Sequence, residues 1–297
     1  MNHFDKISSF SSAIGLKAPE HPLFSISFGT NEDCGGDDIE FSANFYIISF
    51  QKLESGNIFY GKTKYDHDRG KLTFIKPRQA VTFKNIKLKE DCFLILIHED
   101  FLSGCTLHHE IKRYGYFDYE INEALHVSPA EEETIWNLVV AMNKEYYNNI
   151  DNYSKEILLS QLSTLLKYAQ RFYKRQFINR ADLTGTVASK FHDLLRDYFQ
   201  QDQATANGLP NVSYMASNLN VSPRYLSDML KQETGKTALE LIHIHLVAEA
   251  KNLLREGKMN ITEISYMLGF DNPTYFSRLF KKEVGVTPHH FRNQDLN

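Results

Sequence analysis

Residues 212–238 read VSYMASNLNVSPRYLSDMLKQETGKTA, and residues 261–288 read ITEISYMLGFDNPTYFSRLFKKEVGVTP. The two stretches follow one pattern, in which apolar positions coincide at an offset of 49 and, after the turn, Gly235 matches Gly285 at an offset of 50. The extra residue falls in the second turn, where a loop absorbs it. This repeat indicates two copies of one supersecondary unit, a helix, a turn and a second helix.

Local signals predict where the helices of both copies begin and end. Ser222, Asn272 and Thr287 each precede a proline, which places a capping side chain at the N-cap and proline at the first helical position. Gly235 and Gly285 follow the second helix of each copy, where a left-handed residue is favoured. We therefore expect short helices with sharp boundaries.

The second helix of each copy separates into an apolar face and a polar face. The residues predicted to point inward are Tyr225, Leu226, Met229 and Leu230 in the first copy and Tyr275, Phe276, Leu279 and Phe280 in the second. The opposite faces carry short polar and basic side chains, which in a helix-turn-helix unit reach base edges and phosphates. The predicted DNA-binding residues are Arg224, Ser227, Asp228, Lys231, Thr274, Ser277, Arg278, Lys281 and Lys282. A helical bundle with a solvated charged face is an equal alternative for one copy alone, but two copies in register favour DNA recognition.

Residues 238–256, ALELIHIHLVAEAKNLLRE, connect the two copies and are predicted to form one long helix, because they contain neither glycine nor proline. At a rise of ~1.5 Å per residue this helix spans about 28 Å. That length is close to the ~34 Å turn of B-DNA that separates successive major-groove faces. The helix could therefore hold both reading helices on one side of the duplex.

The second copy resembles the signature of the AraC/XylS family of bacterial transcription regulators. The matching features are the GF before the turn, the YFSRLFKK helix and the GVTPHHFR ending. The resemblance covers about residues 185–297, with residues 191–199 as the family's leading helix. It implies that recognition positions include Pro273 and the predicted DNA-binding residues near each helix start. The first copy departs from this pattern at Asp228, which stands where the second copy has Arg278. Its carboxylate would accept a hydrogen bond from cytosine or repel phosphate.

The first 180 residues predict a different kind of domain, rich in β-branched and aromatic residues. Short candidate strands separated by turn residues lie at residues 23–28, 44–50, 58–60, 71–75, 80–83 and 92–97. This spacing is typical of a β-barrel or jelly roll. The family resemblance implies a cupin-like barrel, and KLTFIKPRQAVTF resembles its strand, turn and strand passage. We therefore predict an α+β protein with a cupin-like sensor and dimerisation domain at residues 1–180 and an all-α double helix-turn-helix domain at residues 181–297.

Two amphipathic helices are predicted after the strands. A capping box with Ser128 and Glu131 opens the first. One apolar stripe includes Ile135 and the second includes Leu158. The helix pair either packs on the barrel or binds the same pair of a second subunit through its outer face, and the family resemblance implies that the pair is the dimerisation surface. The polar residues 179–186 are predicted to be the interdomain linker.

Composition narrows the class of protein. The chain is 42% hydrophobic and 24% charged, as in ordinary globular proteins, and its 297 residues favour about two domains. Cys34, Cys92 and Cys105 are scattered, which fits a reducing cytosol better than secretion. The N-terminus lacks the pattern of a signal peptide, and no apolar run is long enough to cross a membrane. These features predict a cytoplasmic protein without a membrane partner.

The charge excludes DNA binding through bulk basicity. The whole chain has a net charge of −4, and residues 181–297 contain 12 Lys and Arg against 13 Asp and Glu. Nonspecific affinity is therefore expected to be modest. Recognition would depend on local cations near the reading helices: Lys231, Lys236, Arg278, Lys281 and Lys282.

No catalytic, cofactor or metal site is predicted. Residues 66–68 (Asp-His-Asp) and 98–100 (His-Glu-Asp) lack the separated histidines of a metal-dependent cupin. The cluster of Cys105, His108, His109 and Glu110 is expected on a strand, where neighbours point to opposite faces. A metal-dependent cupin enzyme fused to a DNA-binding module, and a constitutive regulator whose barrel only dimerises, remain the alternatives.

The predicted function is sequence-specific regulation of transcription in response to a small molecule bound in the barrel. The resemblance implies double-stranded promoter DNA, a small-molecule effector, a second copy of the chain and RNA polymerase as partners. The effector is not identified by the sequence. Candidate inward sets are Phe24, Ile26 and Phe28 on one strand and Tyr46, Ile48 and Phe50 on another, although either face could be the lining.

Overall fold

The computed structural model divides the chain into two compact units, Met1–Asn179 and Arg180–Asn297. The residues that the structure describes are 2–29, 39–51, 59–60, 63–64, 70–83, 92–120, 123–148, 151, 153–184, 187–201 and 203–294. The first unit is mixed α/β, and the second is built from helices in its described part. Asp66, His67 and Asp68 lie outside the described residues.

The N-terminal unit places short strands before two long helices. Its strands are β1 (Asn2–Phe4), β2 (Phe24–Gly29), β3 (Ile39–Ala43), β4 (Phe45–Gln51), β5 (Phe59–Tyr60), β6 (Thr63–Lys64), β7 (Lys71–Ile75), β8 (Val81–Phe83), β9 (Cys92–His98) and β10 (Leu125–His126). Its helices are α1 (Ile7–Ala13), α2 (Leu107–Glu110), α3 (Pro129–Tyr146) and α4 (Ser154–Thr184). Where the structure describes them, the predicted strands are confirmed to within one residue at each end.

The strands form a five-stranded sheet in the order β10-β7-β4-β9-β2 and a three-stranded sheet in the order β1-β3-β8, while β5 pairs with β6. Neighbours in the five-stranded sheet are antiparallel. The sequence did not predict β1 or β3. These two strands pair in parallel across a long separation in the chain, and local periodicity does not reveal such a partner.

One face of the five-stranded sheet, called here the outer face, packs against α3. The rings of Phe28, Phe50 and Phe93 surround the indole of Trp136 at centroid distances of 5.4, 6.1 and 5.9 Å. Strand alternation places the candidate sets of β2 and β4 on this face. These sets therefore face helices, and Phe45 and Ile47 of the opposite set of β4 lie in the core between the sheets.

The opposite face, called the inner face, shares a core with the three-stranded sheet. Ile47, Ile75 and Leu96 of the five-stranded sheet cluster with Phe41 and Val81 of the other. Side chains of α1 complete this buried group. The two sheets are thus held together by an apolar layer between them, because removing such side chains from water is the main favourable contribution to folding.

Helix α4 buries its apolar stripe within the N-terminal unit. Leu162 and Leu166 are fully buried, and the Tyr116 hydroxyl donates to the Leu166 carbonyl at 3.0 Å. The Arg175 guanidinium forms an ion pair of 2.6 Å with Glu131 at the start of α3. Because Ile135 and Leu158 are buried as well, both stripes pack within the N-terminal unit.

The residues predicted as a linker are helical in their described part. Helix α4 continues to Thr184, so residues 179–184 are not an irregular connection, and residues 185–186 lie outside the described residues. The segment NRADLT contains alanine, leucine and arginine, which favour the helix. The boundary between the two compact units falls within the predicted linker, whose described part is helical.

The C-terminal unit consists of helices in the part that the structure describes. They are α5 (Val187–Gln200), α6 (Gln203–Asn207), α7 (Val212–Asn218), α8 (Pro223–Thr234), α9 (Ala238–Glu256), α10 (Ile261–Met267), α11 (Pro273–Val284) and α12 (Pro288–Gln294). Helix α9 has the predicted bounds. Across both units, no described helix has the combination of length and apolarity required to cross a membrane.

Candidate nucleic-acid interface

The predicted caps fix the starts of both second helices. The hydroxyl of Ser222 accepts from the backbone N–H of Tyr225 at 3.2 Å, and the amide oxygen of Asn272 accepts from the N–H of Thr274 at 2.8 Å. Proline follows each cap at the first helical position, as predicted. Helices α8 and α11 end where Gly235 and Gly285 adopt positive φ values of 75° and 89°.

The two turns use different residues for the same backbone conformation. Asn220 has a φ of 55° in the first turn, and Gly269, its counterpart, has a φ of 87° in the second. Asparagine and glycine are the residues that visit this left-handed region most readily. At Gly269 there is also no room for a side chain, because an added Cβ would lie 2.7 Å from the backbone carbon of Gly208.

Helix α9 supports both second helices. Helices α8 and α11 each pack against it, and a capping box formed by Thr237 and Glu240 begins it. It ends at Gly257, which has a φ of 68°. Since α9 is continuous between these ends, it fixes the separation of the two copies.

A contact that the sequence did not predict joins α8 to the leading helix α5. The Glu233 carboxylate accepts from the backbone N–H groups of Val187 and Ala188 at 3.1 and 2.8 Å. A carboxylate at a helix N-terminus satisfies donors that lack partners within the helix and complements its dipole. Because Glu233 lies more than forty residues after Val187 and Ala188 in the chain, only the fold brings them together.

The predicted polar face of α8 carries an internal ion pair. Arg224 donates from Nε to the Asp228 carboxylate at 3.1 Å, one helical turn away. Both side chains are accessible, and Ser227 and Lys231 lie on the same side of the helix. Asp228 therefore compensates the charge of Arg224, which lowers the positive potential that α8 presents.

The predicted face of α11 has a different charge pattern. Thr274 stands where α8 has Arg224, and Arg278 stands where α8 has Asp228. Arg278 is exposed, and no ion pair to it occurs among the residues that the structure describes. Together with the exposed Lys281 and Lys282, Arg278 makes α11 the more cationic of the two helices.

Tyr275 does not occupy the buried position that the sequence predicted. Its side chain is 52% exposed, whereas its counterpart Tyr225 is fully buried. The Tyr275 ring contacts Phe270 at 5.8 Å. At 3.6 residues per turn Tyr275 lies between Leu279 and the polar face, so periodicity alone does not decide its burial. The exposed phenol is an additional candidate for contact with DNA.

Changing Tyr275 to phenylalanine is expected to weaken DNA binding about fivefold without unfolding the domain. The exposed hydroxyl can donate to a phosphate oxygen, and a net hydrogen bond contributes ~1 kcal/mol. A phosphate contact carries no sequence information, so the loss should be similar on specific and nonspecific DNA. Fluorescence anisotropy titrations with both duplexes measure it. Unchanged affinity on both would show that the phenol does not contact DNA.

The clusters that resemble metal sites are explained by local contacts. Cys105 donates from its thiol to the Leu102 carbonyl at 2.9 Å, and a ring nitrogen of His108 lies 3.0 Å from the Lys112 ammonium. His108, His109 and Glu110 belong to helix α2, so their assignment to a strand was wrong. Among the described residues, no group of three or more metal-ligating side chains is placed to hold an ion.

Two helix-turn-helix units on one supporting helix, each with a capped second helix and an accessible polar face, define a DNA-binding domain. The comparisons with known proteins agree. Residues 215–294 match the family described as a helix-turn-helix domain, and this part of the chain is a DNA-binding domain of the AraC type. The resemblance identified from the sequence is thus confirmed.

Individual relatives match part of the chain. It is 33% identical over 125 residues to histidine kinase P4 of Formosa agariphila, which covers 41% of this chain and 9% of the relative. It is 28% identical over 139 residues to the transcriptional activator RhaS of Escherichia coli, with 47% and 45% covered. The solved C-terminal domain of AraT, a response regulator from Geobacillus stearothermophilus, is 35% identical, covers 35% of this chain and 84% of that chain, and has a TM-score of 0.31. The chain therefore spans less than half of histidine kinase P4 and of RhaS.

Proposed function

We propose that the protein is a sequence-specific regulator of transcription that binds double-stranded promoter DNA through both copies of its helix-turn-helix unit. The observation that carries this proposal is the pair of capped second helices supported by one continuous helix, α9. Such helices enter successive major-groove faces when they are spaced about one helical turn apart. RhaS, to which the chain is similar, is named a transcriptional activator.

The two second helices are proposed to contribute unequally to affinity. The residues proposed to contact DNA are Arg224, Ser227, Asp228 and Lys231 on α8 and Thr274, Ser277, Arg278, Lys281 and Lys282 on α11. The Arg224 to Asp228 ion pair reduces the attraction of α8 for phosphate, while the cationic face of α11 attracts it. Helix α11 would therefore anchor the complex, and α8 would add selectivity.

The N-terminal unit is proposed to be a cupin-like sensor that also pairs two copies of the chain. The support for this fold is the apolar layer between two facing sheets. Because the stripes of α3 and α4 are buried within one chain, pairing would use exposed apolar side chains near the junction of these helices: Tyr147, Tyr153 and Ile157. A bound effector would act by favouring one arrangement of the regulator over another.

Selection of binding sites from random duplex DNA with the full chain tests this function. We expect enriched sites with two conserved motifs whose centres lie about one helical turn, ~10 base pairs, apart. Two such sites at a fixed distance would be recovered if the protein binds as a dimer. The Arg278→Ala variant should lose the motif read by α11 and retain the other.

The controls separate this proposal from its alternatives. Lys76→Met, which changes a lysine of the N-terminal unit that is paired with Asp118, should leave the selected motifs unchanged. Failure of the wild type to enrich any sequence would contradict sequence-specific binding. Motifs at variable spacing would contradict the role of α9 as a rigid support.

A further inference from the structure

The inner face of the five-stranded sheet changes from apolar to polar along its strands. Ile47 and Ile75 belong to the core shared with the three-stranded sheet. Two residues further along β4 and two residues earlier in β7, the same face carries Ser49 and Thr73. Because alternate residues of a strand share a face and rise ~3.4 Å each, this polar layer lies about 7 Å from the apolar one.

Ser49 and Thr73 are directly opposite each other on neighbouring strands. Each is only 4% exposed, and neither Ser49 Oγ nor Thr73 Oγ1 has a hydrogen-bond partner within the described structure. Buried hydroxyls in folded proteins are nearly always hydrogen-bonded. Two adjacent exceptions on one face indicate a position where a partner that the described residues do not supply can bind.

Lys71 lies on the same face, two residues before Thr73 and opposite Gln51. Its side chain is partly buried, and the described part of the chain provides no ion pair to its ammonium. Burial lowers the pKa of Lys71 below its usual value, which reflects the cost of removing an ammonium from water. An anion beside Lys71 would remove that cost.

We propose that this face of the sheet, formed by Ser49, Thr73 and Lys71, binds a small carboxylate that carries hydroxyl groups. The carboxylate accepts from the Lys71 ammonium, and the ligand hydroxyls exchange hydrogen bonds with Ser49 Oγ and Thr73 Oγ1. A neutral sugar would leave Lys71 without a counter-ion. An aliphatic acid would leave both hydroxyls without partners. The inference deepens the proposed sensor function, because it assigns a chemical class to the effector.

The test measures binding to the full chain without DNA. Isothermal titration calorimetry would use lactate, malate, D-gluconate and D-glucuronate as probes, with D-glucose and hexanoate as ligands that lack the charge or the hydroxyls. We expect saturable binding of at least one hydroxylated acid and much weaker binding of both reference compounds. Lys71→Met should weaken that binding about tenfold or more, since it removes a charge-assisted hydrogen bond. Lys71→Arg should retain most of it.

A second pair of measurements distinguishes ligand contact from a structural role. Thr73→Val keeps the shape of the side chain and removes the hydroxyl, so it should weaken ligand binding severalfold and leave the melting temperature of the unliganded protein unchanged or raised. If the hydroxyl instead stabilises the fold, this melting temperature falls. Lys76→Met, just beyond the end of β7 and outside the polar layer, is the matched control and should not alter ligand binding.

Failure of the proposed ligand site can be distinguished from failure of the proposed DNA-binding function. Binding of none of the four hydroxylated acids, affinity unaffected by Lys71→Met, or a lower melting temperature for unliganded Thr73→Val each contradicts the site. Operator affinity is then measured with and without the bound acid. If the acid binds through Lys71 but does not change that affinity, the site stands and the sensor function fails.

Discussion

Replacing Arg278 with alanine is expected to weaken binding to a selected DNA site tenfold or more. The guanidinium is exposed on α11, and no ion pair holds it among the described residues. It can form a bidentate contact with guanine, which contributes about 1–3 kcal/mol of discrimination. Anisotropy titrations on the selected site and on a site with the contacted base changed measure the affinity and the discrimination.

Two variants control this result. Arg196→Ala removes another exposed arginine, one paired with Asp193 on α5, and should leave affinity unchanged. Asp228→Asn removes the negative partner of Arg224 on α8, so it should raise affinity for nonspecific DNA. Equal affinity of the Arg278→Ala and wild-type proteins for the best selected site would show that α11 does not anchor the complex.

Replacing Gly269 with alanine is expected to lower the free energy of unfolding of the C-terminal unit by about 2–4 kcal/mol. Under conditions near the unfolding midpoint of the variant, DNA binding should be lost because this unit is then largely unfolded. Two causes add. The φ of 87° is unfavourable for a residue with a side chain, and the new Cβ would lie 2.7 Å from the Gly208 carbon and 2.9 Å from the Ala204 carbonyl oxygen. Because both neighbours are backbone atoms, relief requires α6 and the residue that follows it, Gly208, to move.

Gly285→Ala is the matched control for this substitution. Gly285 has nearly the same φ, 89°, but an added Cβ there meets nothing within 4 Å. Gly285→Ala should therefore lower the free energy of unfolding only through the unfavourable backbone conformation, by about 1–2 kcal/mol. Urea unfolding followed by far-UV circular dichroism compares the variants, while fluorescence of the single tryptophan, Trp136, reports on the N-terminal unit and should not shift. Equal destabilisation by both variants would mean that the Gly208 contact contributes nothing.

Signals within a few residues of each other were sufficient to predict the helices of the two repeats and the helix between them, whereas α6 was not predicted and α5 was expected only from the family resemblance. The caps at Ser222 and Asn272 and the left-handed glycine Gly235 act on their own backbone neighbours, so their effect can be recognised in the sequence. The exposed phenol of Tyr275 could not be predicted in this way, because its position borders both faces of the helix. Nor could the Gly208 contact, which joins the segment after α6 to the second turn.

The N-terminal unit was less predictable because its contacts are distant in sequence. Local composition identified β4, β7 and β9, but which face of each lies between the sheets depends on the partner strands and on α3. Helix α3 covers the outer face through Trp136, a contact that alternation alone could not assign. The polar layer at Ser49 and Thr73 became visible only when register placed these residues side by side.

Under the proposed function, the length of α9 would also constrain how the target promoters can evolve. A base pair within either half of the recognised DNA can change at the cost of one contact, and a compensating side chain can restore it. An inserted or deleted base pair between the halves cannot be compensated by a single side chain. A change in the length of α9 would not restore the fit either, because adding one residue to a continuous helix turns its far end by about 100° as well as lengthening it by ~1.5 Å. Promoters of the proposed regulator should therefore diverge in base sequence while keeping their spacing, and a compensating change in spacing would have to occur in protein and DNA together.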